Sequence, residues 1–253
     1  MRKSLLVGAS LLIGSNALAE DIQEPETITV PSPWKNEIEF GYQAHSGNSD
    51  TKSLNSRIDV EYISGRHRTY GEWKYYLLYK DGEEDKRQAT YAVQSDYKLG
   101  PRTYLYNSFR GVDSKYSAYF KDYTLSGGLG FQFFNTDELL LETEVGPGYR
   151  YQEPNLDELK DDDIIFPTIV QEVIFRGNIN GEWRPLENVT VAATMTVVAG
   201  DSNTRIDSDL SFANNITEDV ALKVSHNREY HDKVPEGLSH SDSVITVSIL
   251  VSF

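Results

Sequence analysis

From Trp34 to the last residue, apolar and polar side chains alternate one by one along most of the chain. In the final segment, 245–253, every odd-numbered residue is apolar, and most of the residues between them are serine or threonine. Successive side chains of a β-strand point to opposite faces, so this period of two indicates strands with one apolar and one polar face. About twelve such segments follow one another, and we predict an all-β fold. The segment 102–111 alternates poorly and is assigned as a strand because it lies between two others.

Many of these segments are close to the roughly ten residues that a tilted strand needs to cross a bilayer. Long polar connections alternate with tight turns, which is typical of outer-membrane barrels. An unpaired backbone group is costly in lipid, so strands can cross only when they close on themselves. We therefore predict a closed antiparallel transmembrane β-barrel of about 12 strands over residues 35–253, with both termini periplasmic. A soluble β-sandwich or a lipocalin-like barrel in the periplasm is the alternative.

The N-terminus has the features of a secretory signal peptide. Arg2 and Lys3 precede a short apolar run, and the small residues Ala17 and Ala19 match a cleavage site. We predict that residues 1–19 are removed and that residues 20–34 form a short periplasmic tail. A membrane-spanning or buried helix is the alternative for residues 1–19. Export of this kind, with the barrel that follows, predicts the outer membrane of a Gram-negative cell as the location.

Composition excludes several classes of function. The chain has no cysteine, which excludes disulfide scaffolds, thiolate metal sites and cysteine nucleophiles. Its formal net charge of −15 argues against a nucleic-acid partner, because nucleic-acid binding needs a basic face. We expect no cofactor, no metal site and no catalytic residues.

Several segments resemble one known family. The alternating tail that ends in Phe253 resembles the C-terminal signal that bacterial outer-membrane proteins present to their assembly machinery. Together with residues 39–42, 46–49, 127–131 and 144–150, it resembles the putative salt-induced outer-membrane protein family, a group of uncharacterised proteobacterial barrels. The resemblance covers most of residues 34–253. It implies an outer-membrane barrel connected with salt or osmotic stress, and it supplies no site residues.

The polar faces of the predicted strands carry charges of both signs. We predict that these side chains line the inside of the barrel, either as ion pairs that fill it or as a porin-like pore that selects small cations or polar solutes. The lumen candidates are Glu37, Glu39, Arg57, Asp59, Glu61, Glu72, Lys74, Asp96, Lys98, Glu142, Glu144, Arg150, Glu172, Arg176, Glu182, Asp207 and Asp209. We therefore predict a narrow channel or a structural envelope protein.

Glycines and acidic stretches give further expectations. Glycines at 127, 128, 130, 146 and 148 are expected on facing strands, where they let the wall bend or make room for a large inward side chain such as Arg150. The acidic stretches 83–85 and 161–163 are expected in solvated outer loops, and the alternative is that their carboxylates bind divalent cations beside lipopolysaccharide.

An outer-membrane lipid hydrolase is the alternative function. Such an enzyme needs histidine and serine near the outer leaflet. The chain offers two groups of this kind, which are His45 with Ser46 and Asn48, and His226, His231 and His240 with Ser239. It has no nucleophile elbow or other established catalytic motif, so we expect that the protein is not an enzyme.

Overall fold

The computed structural model describes residues 32–45, 51–115, 119–155, 168–234 and 239–253. The predicted signal peptide, the acidic stretch 161–163, Ser46 and Asn48 lie outside these residues, and so does the side chain of His45. Within the described residues, no helix is both long enough and apolar enough to cross a membrane.

Twelve strands make up the fold. They are β1 (Trp34–His45), β2 (Thr51–Ser64), β3 (His67–Lys80), β4 (Glu83–Lys98), β5 (Thr103–Ser114), β6 (Tyr119–Asn135), β7 (Leu139–Pro154), β8 (Val170–Leu186), β9 (Val189–Ala199), β10 (Thr204–Asn215), β11 (Val220–His231) and β12 (Ser241–Ser252). The poorly alternating segment 102–111 is indeed part of a strand, β5.

Each strand pairs antiparallel with the next one in the chain, and β1 pairs with β12 to close the sheet. The closing seam runs from the pair Glu37–Ser252 to the pair Phe40–Ile249. The backbones of Asn36 and Phe253 continue it, with N–H···O distances of 3.2 and 3.0 Å. The prediction of a closed antiparallel barrel of about 12 strands is therefore confirmed. We call the rim that carries Trp34 and Ser252 the terminal rim, and the other one the opposite rim.

Exposure is inverted with respect to a soluble protein. Apolar side chains cover the outside of the barrel, and Val173 and Ile245 are 74% and 67% exposed. Charged side chains fill the inside, where Arg150 and Glu144 are 0% and 3% exposed. A soluble domain buries its large apolar residues and almost never fully buries arginine or glutamate unless the charge is paired. This arrangement suits a barrel whose solvent on the outside is lipid.

The connection between β3 and β4 differs from the prediction. The stretch 83–85 was expected in an outer loop, but it forms the start of β4. The turn itself is only Asp81–Gly82, with φ angles of 52° and 88°. This left-handed Asp-Gly pair is the type of turn that joins two strands without further loop residues, so the pairing continues through the acidic residues.

The glycines of β6 and β7 allow close packing of the backbone. A side chain at Gly128 would collide with the backbone oxygen of Val145. Gly130 lies beneath the ring of Tyr104, an inward residue of β5 that is almost fully buried. The expected close approach of the β6 and β7 backbones is therefore present. The space left by Gly130, however, is filled by the Tyr104 ring. Arg150 packs instead against Gly200, in the turn between β9 and β10.

Candidate functional site: the charged lumen

The barrel encloses a cavity of about 1200 Å³. Its lining begins at turn residues of the terminal rim, such as Gly65 and Asp137, and reaches Lys86 and Asp242 close to the opposite rim. Among the described residues, fifteen acidic side chains and thirteen lysines and arginines contribute to it. The lumen is thus nearly balanced in charge, and most of the chain's acidic excess lies elsewhere.

The structure places most of the predicted lumen residues on this cavity. The residues that line it are Glu37, Glu39, Arg57, Asp59, Glu61, Glu72, Lys74, Asp96, Lys98, Glu142, Glu144, Arg176, Glu182, Asp207 and Asp209. Arg150 and Glu172 point inward but are not part of the lining. They belong to a sealed layer near the opposite rim, which we describe below.

One ion-pair network spans β1, β2 and β3 and centres on Arg57. The Arg57 guanidinium lies 2.7 Å from Asp59 and 2.9 Å from Glu72. Glu39 joins the network from β1 and accepts a hydrogen bond from Lys223 of β11 at 2.9 Å. Because buried carboxylates are costly without partners, these contacts explain how the charges are tolerated inside the wall.

A second network connects walls that are far apart in the sheet. Arg68 of β3 lies 2.7 Å from Asp96 and 3.3 Å from Glu142 of β7, four strands away. Glu144, next to Glu142 on the inner face of β7, accepts hydrogen bonds from Tyr104 at 3.0 Å and from Arg176 at 2.7 Å. Contacts between non-neighbouring strands cross the interior, so this network narrows the lumen.

A third set of contacts crosses the lumen nearer the opposite rim. Arg205 of β10 lies 2.6 Å from Asp122 of β6. Arg205 also contacts Asp207 at 3.1 Å, and Asp207 lies 3.9 Å from Arg110 of β5. Asp207 therefore stands between two guanidinium groups that come from opposite walls.

The sealed layer is built by the turn that joins β9 to β10. Arg150 pairs with Glu172, and its guanidinium also donates to the backbone oxygen of Asn203 at 2.6 Å. Glu172 accepts hydrogen bonds from the backbone and the hydroxyl group of Ser202 at 2.9 and 2.6 Å. This short turn thus folds inward over the pair, which is why Arg150 and Glu172 are separated from the cavity.

Several lining carboxylates of the described residues have no side-chain partner, and Glu37 and Asp209 are two of them. Within the described part of the chain, neither Glu37 nor Asp209 forms a hydrogen bond or an ion pair. The Arg57 and Arg68 networks hold six carboxylates and five basic groups. Over the whole lining, the described acidic side chains outnumber the lysines and arginines by two.

Sequence reasoning missed several charged lumen residues. Arg68, Arg110, Arg205 and Lys223 all line the cavity. Arg205 and Lys223 share their face with predicted lumen residues, so the alternation could have found them. Arg110 could not be found in this way, because its strand β5 alternates poorly.

The histidines of the hydrolase alternative are spread over different surfaces. His226 lies between outward-facing partners, Leu210 on β10 and Ile245 on β12, and is exposed. The ring of His231 contacts Glu229 at 2.9 Å. The hydroxyl group of Ser239 donates to the backbone oxygen of Ser241 at 2.9 Å. These contacts give no support to a serine hydrolase arrangement.

Divalent-cation binding is the alternative for the acidic stretches. Within the described ranges, no group of three or more histidine or carboxylate side chains is arranged to hold a metal ion.

Comparison with known proteins identifies the family. Residues 38–253 match the family described as "Protein of unknown function, DUF481", and the chain belongs to this family. It is 23% identical to the uncharacterized protein YdiY of Escherichia coli strain K12 over 255 residues, which cover 97% of this chain and 94% of the relative.

Solved structures share the fold. The COG4313 outer membrane channel from Pseudomonas putida F1 is 7% identical, with a TM-score of 0.51, over 92% of this chain and 100% of that one. The NanC porin is 10% identical, with a TM-score of 0.49, over 86% of this chain and 97% of that one. The chain therefore shares the β-barrel fold of the COG4313 outer membrane channel.

Proposed function

We propose that this family member is a narrow outer-membrane channel that passes small cations and small polar solutes. The proposal includes export by a signal peptide that is cleaved after residue 19, and a barrel whose terminal rim faces the periplasm. The opposite rim then faces the cell exterior and its lipopolysaccharide. The proposal also includes no enzymatic activity, and assembly through the C-terminal strand that ends in Phe253.

The observation that carries this function is the lining of the cavity. Polar and charged side chains line it from the turns of one rim to residues beside the other rim. A purely structural barrel does not need a polar interior, whereas a pore needs polar side chains that interact with a passing solute in place of part of its hydration shell. Contacts across the interior, such as Arg68–Glu142, limit the bore to small solutes.

The excess of carboxylates sets the expected sign of selectivity. The carboxylates of Glu37 and Asp209 form no ion pair with described residues, so their negative charge is available to attract a cation in the lumen. Charged side chains in a pore raise the local concentration of ions of the opposite sign. The channel is therefore expected to prefer cations by a modest factor, because thirteen basic side chains also line the cavity.

Conductance in planar bilayers tests this function. The full barrel should give discrete steps, and a salt gradient should give a reversal potential of the sign that marks cation preference. The variant Glu37→Gln/Asp209→Asn should lower that potential while leaving the fold intact, since neither carboxylate is paired. A matched control is Glu218→Gln/Asp219→Asn, which removes the same charge from an exposed turn outside the lining and should leave the potential unchanged.

One result counts against conduction, and another counts against the proposed origin of the selectivity. If the folded barrel inserts but gives no steps, a structural envelope role replaces conduction. If steps appear and both double variants change the reversal potential equally, the lumen carboxylates do not set selectivity.

The connection with salt stress is part of the same proposal. Screening by salt shortens the reach of exposed charges to about 10 Å at 0.1 M ionic strength. Ion pairs that cross the lumen, such as Arg110–Asp207 at 3.9 Å, are partly exposed and weaken as salt rises. Single-channel conductance should also rise more steeply with salt in Glu37→Gln/Asp209→Asn than in the wild type, because the wild-type carboxylates concentrate cations most strongly at low salt.

A further inference from the structure

Four polar atoms on one part of the cavity lining are buried and have no hydrogen-bond partner among the residues that the structure describes. They are Arg110 Nη1, Arg205 Nη2, Thr124 Oγ1 and Ser126 Oγ. Arg205, Thr124 and Ser126 are only 2%, 3% and 4% exposed. Leaving a buried donor unsatisfied is costly, and native proteins keep few such groups. Four of them close to one another therefore mark a place where water or a bound ligand can supply the missing partners.

The four residues lie on facing parts of three strands and are connected through Asp122 and Asp207. Arg110 of β5 is the direct partner of Thr124 on β6, and Ser126 lies two residues further along the same face. Arg205 reaches them from β10, where its guanidinium is held 2.6 Å from Asp122, two residues before Thr124.

Asp207 lies between the guanidinium groups of Arg110 and Arg205. Its two oxygens lie 3.1 Å from Arg205 Nε and 3.9 Å from Arg110 Nη2. The Asp207 carboxylate thus contacts both guanidinium groups. Nη1 of Arg110 and Nη2 of Arg205 have no partner among the described residues.

We propose that this spot is a binding site for a small oxyanion, a carboxylate or phosphate group. All four groups can donate hydrogen bonds, and the positive charges of the two guanidinium groups are partly balanced by Asp122, which also has one oxygen without a partner among the described residues, and by Asp207. Arginine pairs are the usual donors for planar and tetrahedral oxyanions, and hydroxyl groups complete the contacts. We call it the Arg110–Arg205 site.

The Arg110–Arg205 site does not depend on conduction, because it rests on contacts within the folded barrel. Binding can therefore be measured on detergent-solubilised protein, by isothermal titration calorimetry with inorganic phosphate and, separately, with acetate. Phosphate represents a phosphorylated ligand and acetate represents a carboxylate solute. If only one of the two binds, the result assigns the class of ligand.

The test variant is Arg110→Gln, which keeps a hydrogen-bonding side chain and removes the charge. Arg110 is only partly buried, so the variant is expected to fold. Loss of a charged donor should weaken binding by about tenfold or more. The control is Lys98→Gln, which removes one positive charge from another part of the lining and should leave the affinity within about twofold.

A second variant separates the site from general charge effects. Thr124→Val/Ser126→Ala removes both hydroxyl groups without changing the charge and should also weaken binding. Far-UV circular dichroism verifies that each variant is folded.

Either anion binding to the wild-type barrel, with the expected loss in Arg110→Gln, supports the site. Two results overturn it. One is that neither anion binds, which means that the four atoms are satisfied by water only. The other is that Arg110→Gln and Lys98→Gln weaken binding equally, which means that the anion responds to net charge.

Discussion

Introducing an arginine on the lumen face and, separately, on the outward face of the same strand compares the free-energy cost of a charge in the two environments. Ala192 and Ala193 are neighbours on β9; Ala192 lines the cavity and Ala193 faces outward between Gly181 and Leu210. We predict that Ala193→Arg strongly destabilises the barrel in lipid, whereas Ala192→Arg has little effect. The substitution is identical, so differences in side-chain size and strand propensity cancel.

The magnitude follows from the depth of the position. Ala193 is the fifth residue of β9, so it lies about 13 Å along the strand from the terminal rim. At a tilt of about 40° this is roughly 10 Å in depth, close to the middle of an apolar band about 25 Å tall. An outward arginine at this depth costs about 2–4 kcal/mol, and a lumen substitution costs far less. A difference of about 2 kcal/mol corresponds to about a 30-fold change in the folding equilibrium.

Reversible unfolding in denaturant, with the barrel folded into phospholipid vesicles, measures both variants. The expected result is a lower free energy of unfolding for Ala193→Arg by at least about 2 kcal/mol relative to Ala192→Arg. Equal losses, or a larger loss for Ala192→Arg, would refute the assignment of the two faces.

Two more predictions concern how the wall is built. Gly128→Ala should destabilise the barrel by about 1–3 kcal/mol, because the new methyl group meets the backbone oxygen of Val145. Gly177→Ala should be nearly neutral, because nothing lies within 4 Å of its added carbon. Unfolding of both variants in denaturant checks this prediction. Ile38→Cys/Val251→Cys should be joined by a short bifunctional thiol cross-linker because these residues are partners across the closing seam, and a failure of folded protein to cross-link would argue for an open sheet.

Much of the fold could be predicted from the sequence, because a period of two is a local signal. It gave eleven of the strands directly and placed residues such as Asp209 on the inner face. β5 was harder, since Tyr104 and Tyr106 fill the barrel from the inner face and break the apolar-outside rule. The alternation has no way to distinguish an inward tyrosine from an outward one.

The candidate site could be predicted only in part, because its contacts join strands that are distant in the chain. Arg68 meets Glu142 across four strands, and Arg110 meets Asp207 across five. Local alternation fixes which way a side chain points but not which residue it meets on the far wall. For the same reason, the sequence did not show that the Ser202–Asn203 turn seals part of the interior.

The central claim is that apolar side chains face lipid while polar and charged side chains face the interior of a closed barrel. The chain has no cysteine, so single cysteines can be introduced from Val191 to Met195 and spin-labelled without background. Collision with dissolved oxygen, which concentrates in the bilayer, should be high at 191, 193 and 195 and low at 192 and 194. Oxygen accessibility that is uniform along β9, or that peaks at 192 and 194, would contradict the account.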